Sequence, residues 1–482
     1  MPHITENDTL YIGQAGEHPQ HLLLRYANRH GLIAGATGTG KTLSLQGLAE
    51  GFSASGVPVF IADIKGDLSG LAQAGIPKPP LEKRANDIGF TLNYTAFPTI
   101  FWDVFGNSGH PLRTTISELG PLLLASLLQL NEVQEGVLNV AFEVADKEGL
   151  LLLNLEDLGT LLTHLADNSA HYAVQYGAVS SASVAAIKRA LLSLQSQGAA
   201  HFFGEPAINI TQFIAQNPQG YGNINILSAD QLIHSPALYV TFMLWLMSEL
   251  FETLPEIGDL AKPKLVFFFD EAHLLFANAN KELTTRIVQL VKLIRSKGVG
   301  IYFITQSPSD IPKEVLAQLS NRIQHALRAF TPKDQKSVKA AATTFRQNPA
   351  FDTASAITEL AIGEALVSTL NDQGIPCMVE RTLIRPPVSY VGAITAAQRQ
   401  DIMQHSVYAG LYDTEINRHS AHEMLAARLQ KTETAPSSSP APRPPSTMQH
   451  EATKVARSVL ISIGSTIGRE IARGIMRSIM KR

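Results

Sequence analysis

The chain of 482 residues holds a single cysteine, Cys377. That excludes an internal disulfide and a thiolate metal cluster, and it fits a reducing compartment. An excess of one charge sign is missing too: 39 Lys and Arg stand against 42 Asp and Glu, for a net charge of −3. No overall basic surplus announces nucleic acid, so any DNA or RNA contact has to come from a local surface or the inside of a ring. The first residues, "MPHITENDTL", lack a basic segment followed by an apolar run, which predicts no secretory leader and a cytoplasmic protein. The most apolar long stretch, Ala237 to Phe251, is shorter than the roughly 20 residues that span a bilayer and carries Glu249, so a helix buried against a sheet is expected. Neither an N-K-x-D guanine-reading segment nor a metal-ligand spacing of His and Cys is present, and no internal repeat is visible. What remains is an ordinary globular composition, 45% hydrophobic and 17% charged, long enough for two to four folding units.

Against that background "GATGTGKT" stands out, with Gly35, Ala36, Thr37, Gly38, Thr39, Gly40, Lys41 and Thr42 in succession. It matches G-x-x-x-x-G-K-[ST]. The glycines let successive backbone N–H groups close on phosphates, Lys41 reaches the β and γ oxygens, and Thr42 holds Mg²⁺. The apolar "GLIA" before it reads as a strand and "LSLQGLAEGFSAS" after it as a helix, whose N-terminus adds unpaired donors and a positive dipole end. The loop alone does not separate a kinase, a switch GTPase, a transporter subunit and a motor.

Along the chain, "VPVFIADIKGD" and "TIFWDVF" read as further buried parallel strands. Residues 111–216 turn helical, with capping pairs at Asn131 and Gln134 and at Asn154 and Asp157 and a cap cluster at Ser180 to Ser183, which predicts a helical subdomain inserted into the sheet domain. Strands and helices alternate again from "NINIL" onward. The expected fold is therefore α/β, with a mostly parallel sheet covered on both faces. The predicted divisions are short N-terminal strands at 1–27, a first core half at 28–110, the helical insertion at 111–216 and a second core half at 217–395. An extension at 396–433, a Pro/Ser-rich linker at 434–449 and a basic helix at 450–482 follow. "EALVSTL" and "PCMVERTLI", joined through "NDQG", read as an edge hairpin.

"LVFFFDE" ends a buried strand in two carboxylates, at the strand edge where ligands sit in such sheets. Asp270 is expected to hold Mg²⁺ through its water shell and Glu271 to orient or deprotonate an attacking water, which points to hydrolysis rather than transfer. The strand "GVGIYFITQ" ends in Thr305 and Gln306, and Gln306 is placed to sense the γ-phosphate or water. Arg295, Arg322 and Arg328 are candidates for charge compensation in the transition state. Asp63, Lys65 and Asp67 either complete the site or stabilise a turn. His273 after "DEA" imitates a DEAH helicase box, but the long spacing from the P-loop and the surrounding strands do not fit a two-lobed helicase of that kind.

These stretches, with "ADIKGDLSGLAQAG", "WDVFGNSGHPLR", "LIRSKGVGIYFITQSPSDIP" and "NRIQHALRAFTPKDQ", resemble the HerA/FtsK-type P-loop ATPases, and among them the bacterial YjgR-type HerA-like proteins, over about Asn28 to Thr395. The resemblance implies a RecA-like core that binds ATP at Gly35 to Thr42 with Mg²⁺ at Thr42 and Asp270, Glu271 as base and Gln306 as sensor. It makes Arg295 the arginine supplied to a neighbouring subunit and Arg328 a second nucleotide-site arginine. It also implies a homo-oligomer, a hexameric ring that moves duplex DNA or protein through a pore. The segment before the core holds at most two strands, "TLYIG" and "HLLLR", too few for the N-terminal β-barrel of HerA proper.

Beyond the linker, Val455, Val459 and Ile463 to Ile479 recur every fourth residue, with Arg469, Arg473, Arg477 and Lys481 offset by two and so on the opposite face. This amphipathic helix, with seven basic and two acidic residues in 450–482, suits docking or oligomerisation, a membrane surface, or nucleic acid. Two functions are expected on these grounds: a motor ATPase with DNA as leading cargo, or a nucleotide-gated, secretion-associated scaffold at a membrane.

Overall fold

A computed structural model describes residues 4–433 apart from 7, 259, 278–280 and 417. The linker at 434–449 and the basic helix expected at 450–482 lie outside the described residues.

Among the described residues thirteen strands form one sheet. In chain order they are β1 (Thr5–Glu6), β2 (Thr9–Ala15), β3 (His18–Leu23), β4 (Gly31–Ala34), β5 (Val59–Asp63), β6 (Thr99–Asp103), β7 (His110–Pro111) and β8 (Ile224–Ser228). β9 (Leu265–Phe269), β10 (Val299–Thr305), β11 (Asn321–Gln324), β12 (Glu364–Ser368) and β13 (Glu380–Ile384) complete the set. The spatial order is β1-β2-β13-β12-β11-β4-β10-β9-β5-β8-β6-β7, with β3 on β2. From β11 to β7 every pairing is parallel, and from β12 to β3 every pairing is antiparallel.

The parallel part follows from continuous apolar runs. In β5, β9 and β10 every residue is buried, so neither sheet face meets water. Alternation sorts the side chains: Phe267 and Phe269 enter one core, while Val266 and Phe268 enter the other. The first core is capped by the helices Pro236–Thr253 and Lys281–Ile294 and by the helical region; the second holds the helix Lys41–Ala54. The apolar stretch from Ala237 is thus a covered helix, and among the described residues no helix is long and apolar enough to cross a membrane.

The helical region runs from Ile116 to Ser196, and its starts are written locally. Asn131 with Gln134 and Asn154 with Asp157 form reciprocal capping boxes, and the Ser180 hydroxyl accepts from the Ser183 N–H. The extension after β13 returns to this region: the Ala421 N–H donates to Leu151 O at 2.9 Å and the His422 N–H to the Asp157 carboxylate at 2.9 Å.

Two expectations change. The N-terminal segment makes three strands rather than two, and β12–β13 is not an edge hairpin. β2 pairs with β13 through Gly13 with Ile384 and Gln14 with Leu383. Gly13 permits this, because a Cβ there would lie 2.1 Å from the Leu383 carbonyl oxygen. The hairpin turn does contain the expected glycine, Gly374, with its N–H on Asn371 O at 2.8 Å.

Candidate active site

Four neighbouring strands, β4, β10, β9 and β5, end at the same sheet edge and deliver the loops that carry the predicted chemistry. After β4 the chain turns through Gly38 (φ 75°) and Gly40 (φ 111°), left-handed conformations that favour glycine, and enters the helix Lys41–Ala54. That helix has neither a side-chain cap nor an acidic residue in its first turn, which leaves its first N–H groups for an anion. The Lys41 ammonium donates to Gly35 O at 2.6 Å and Ala36 O at 3.1 Å, so it is held back along the loop. Burial lowers its pKa, with Lys65 adding to the effect and Glu271 and Asp270 opposing it. The loop is pinned from three sides: Gly35 N–H to Thr305 O, Ala36 N–H to Ala326 O, and Gly363 N–H to Thr39 O.

β9 is followed directly by Asp270 and Glu271, both buried. Burial pushes the Asp270 carboxyl up to about 6; Lys65 works against that shift and Glu271 with it. Such a carboxylate gains from a divalent cation. Glu271 sits at φ 46°, a left-handed conformation for a non-glycine residue, and strain of that kind clusters at functional sites. Its Oε1 meets Lys65 Nζ at 2.6 Å, and its Oε2 accepts from Gln306 Nε2 at 3.4 Å and lies 3.4 Å from His273 Nδ1. Burial raises the Glu271 pKa, but the Lys65 hydrogen bond and charge, with Gln306 and His273, outweigh it and leave the carboxyl below its ordinary value.

Of the polar pair at the end of β10, only Gln306 reaches this cluster. Thr305 is buried, and its hydroxyl donates to Asp310 Oδ2 at 2.9 Å, within the cap of the next turn. At the end of β5, Asp63 accepts from the Gly66 and Leu68 N–H groups at 2.8 and 3.1 Å and shapes the turn that presents Lys65. Burial, with repulsion from Asp67, pushes Asp63 up to about 7.

The three arginines separate. Arg322 donates to Leu319 O and Leu316 O, each at 3.0 Å, and to Thr344 O at 3.3 Å, a structural assignment that occupies its guanidinium. Arg328 is exposed two residues beyond Ala326, on the P-loop side of the sheet. Arg295 is exposed in the turn that enters β10, at the opposite edge.

Two histidines that the motifs do not show support the site. His325 lies under the P-loop, where its Nδ1 donates to Glu364 O at 2.9 Å and its Nε2 accepts from the Ser44 hydroxyl at 2.8 Å. Burial holds its pKa down to about 4, and Lys41 adds to the shift, so the ring is neutral. It also demands glycine at 35, where a Cβ would meet His325 Cβ at 2.5 Å. His30, before β4, accepts from the Ile301 N–H at Nδ1 and donates to Val291 O from Nε2, and burial likewise lowers it to about 4. A His immediately before a P-loop strand is the only sequence signal for the second; for the first there is none.

A P-loop beside a strand-end Asp-Glu pair, on a parallel sheet of this order, defines a RecA-like P-loop ATPase. The family comparison is narrower: residues 9–453 match the Helicase HerA-like C-terminal family, and the chain belongs to it as a HerA-like P-loop ATPase. Two relatives from Methanocaldococcus jannaschii share the region in part. Probable helicase MJ1565 is 34% identical over 110 residues, 23% of this chain and 20% of its own length. Probable helicase MJECL08 is 32% identical over 117 residues, 24% and 21% respectively. The chain thus spans about a fifth of these relatives. Among solved structures, the bacterial conjugative coupling protein TrwBdeltaN70 aligns over 81% of this chain and 92% of its own, with a TM-score of 0.54 at 16% identity. Plasmid coupling protein TrwB in complex with ADP and Mg²⁺ aligns over 78% and 91%, with a TM-score of 0.51 at 15% identity. At such identities the shared feature is the fold.

Proposed function

We propose that this HerA-like chain is a Mg²⁺-dependent ATP hydrolase that assembles into a ring, with six subunits as the expected number, and couples turnover to movement of duplex DNA. The observation that carries the hydrolytic reading is Glu271, a buried carboxylate held by Lys65, Gln306 and His273 one strand from the P-loop strand's own neighbour. A base in that place takes a proton from water as the water oxygen attacks the γ-phosphorus, and the bond to the β–γ bridging oxygen breaks to leave ADP and phosphate.

The uncapped helix start and the glycine turn fit the phosphates, and the Thr42 hydroxyl and Asp270 would hold Mg²⁺. When bound, the ion neutralises charge on the phosphates. Among the described residues no cluster of three or more His, Cys, Asp or Glu would hold a metal alone, which fits a magnesium shared with phosphate and water. Gln306, already on Glu271, supports a sensor role; Arg328 supports a nucleotide-side role by its position beside the loop. The names of the Methanocaldococcus relatives as probable helicases favour DNA as cargo.

Lys41→Ala is expected to lose nucleotide binding, whereas Glu271→Gln keeps it and loses turnover by about 10²- to 10⁴-fold. Equilibrium nucleotide binding and phosphate release measure the two. Normal turnover in Glu271→Gln removes the base assignment. ATPase stimulation by duplex DNA tests the cargo; no stimulation and no retention of DNA by an assembled ring moves the reading to a nucleotide-gated scaffold.

A further inference from the structure

Lys65 is the cation closest to Glu271, and the sequence left it between completing the site and stabilising a turn, with no stated task. Three features define its position. β5 and β9 run side by side with Ala62 opposite Phe269, so the loops that follow leave the sheet together. Asp63 ties down the Gly66 and Leu68 N–H groups, which makes the base of the Lys65 loop rigid. The side chain itself is half-exposed, 42% of its surface, and spans from that base to Glu271 Oε1 at 2.6 Å. It is therefore a long, half-exposed arm on a hydrogen-bonded mount, with its charge at the same strand ends as Lys41.

We propose that Lys65 is a γ-phosphate ligand that, without a triphosphate, is parked on Glu271 and, when one binds, transfers its ammonium to a terminal phosphate oxygen.

This inference rests on the hydrolytic reading and adds a residue to it. Two anions compete for one ammonium. Glu271 offers one charge, already shared with Gln306 and His273. A terminal phosphate beside Lys41 offers more charge and three acceptor oxygens. The transfer has two consequences: the third phosphate gains a cation from its own subunit, and Glu271 loses the partner that occupies the oxygen a water would approach. A diphosphate offers no terminal group at that place, so Lys65 stays on Glu271. The same side chain thereby reports which nucleotide is bound. Burial works to lower the Lys65 pKa, but the Glu271 hydrogen bond and the charges of Asp270, Glu271 and Asp67 outweigh it and hold it above its ordinary value where the ammonium sits on Glu271; Asp67, in the same loop, has its Oδ1 buried with no hydrogen-bond partner.

The test compares Lys65→Ala and Lys65→Arg with the wild type in the full chain, by equilibrium binding of ADP and of a non-hydrolysable ATP analogue with Mg²⁺, and by steady-state turnover. One lost charge-assisted contact predicts that Lys65→Ala weakens the analogue about tenfold or more and leaves ADP within about twofold. Turnover should fall in kcat more than it rises in KM, and Lys65→Arg should restore the preference for the analogue. Equal weakening of both nucleotides, or no change in either, overturns the proposal. A wild type that binds the analogue without hydrolysing it removes the hydrolytic reading, and the binding ratio still decides Lys65. A wild type that binds neither nucleotide overturns both.

Discussion

His325 shows how a single buried side chain links the nucleotide loop to the acid stability of the whole chain. Its ring is neutral because both nitrogens are committed, one to Glu364 O and the other to the Ser44 hydroxyl, and because burial and Lys41 hold its pKa at about 4. In the unfolded chain the same ring titrates near its ordinary value of 6.5. Between those values the unfolded state binds a proton that the folded state refuses, so this contribution is present above about pH 6.5 and is lost as pH falls towards about 4. Asp63, raised to about 7, has the opposite sign: its contribution is full at low pH and is lost as pH rises through about 7. The two partly cancel in the wild type. His325→Asn removes one of these contributions and leaves that of His30, so the slope of unfolding free energy with pH, measured by denaturant titration between about pH 4.5 and 6, should drop by up to about 1.4 kcal/mol per unit whatever the intercept. An unchanged slope would show that the folded protein accommodates the charged ring. Residues of this kind are hard to read from a sequence. "GATGTGKT" and "DE" announce themselves because their chemistry is contiguous, whereas His325 matters only because β11 pairs with β4 and brings it under Gly35. Lys65 was visible as a charged residue at a strand end, but its contact with Glu271 depends on which strand lies next to β5.

At the scale of elements, the P-loop helix is fastened from behind. Glu50, fully buried on the helix Lys41–Ala54, meets Arg385 Nη1 at 2.9 Å and accepts from the Val388 and Ser389 N–H groups and the Ser389 hydroxyl. Arg385 donates in turn to Tyr11 O at 3.0 Å and to Gly47 O. One ion pair therefore joins the nucleotide helix, β2 and the segment after β13. A buried pair is a weak net stabiliser, but its halves do not survive alone, since the remaining charge keeps its desolvation cost. Arg385→Met should destabilise by about 3–5 kcal/mol, and the double variant Glu50→Gln, Arg385→Met should recover a substantial part of that loss. A denaturant-based double-mutant cycle measures the coupling; additive losses would mean that the two side chains act separately. Local elements were legible where local chemistry makes them, as at the Asn131 and Asn154 capping boxes and in the all-apolar β9. Partners more than three hundred residues away were not. The addition of β2 to β13 and the Glu50–Arg385 pair both join the start of the chain to its far end, and neither leaves a periodic trace.

At the scale of the molecule, the distance across the sheet decides what Arg295 can do. It sits at the start of β10, whose seven residues run from Val299 to Thr305 before the chain reaches Gln306 and the P-loop. Seven residues of strand cover about 23 Å, well beyond the reach of an arginine side chain, so Arg295 cannot serve the nucleotide of its own subunit. The arginine role implied by the family pattern thus requires a neighbour whose P-loop edge faces this subunit's strand-entry edge. Such a contact is head-to-tail, and repeated head-to-tail contacts close into a ring when the rotation permits. Under this proposal a complete site needs Glu271 from one subunit and Arg295 from the next. Arg295→Ala and Glu271→Gln homo-oligomers should both be nearly inactive. When the two variants are unfolded, mixed in equal amounts and reassembled, a site is whole only where an Arg295→Ala subunit receives its arginine from a Glu271→Gln neighbour, which is about a quarter of all contacts in a random ring. Phosphate release from the mixture should therefore rise towards about a quarter of the wild-type rate if the sites fire independently. A mixture no more active than its two parents would mean that no site is shared between subunits, and Arg295 would then be a surface residue of the strand-entry edge.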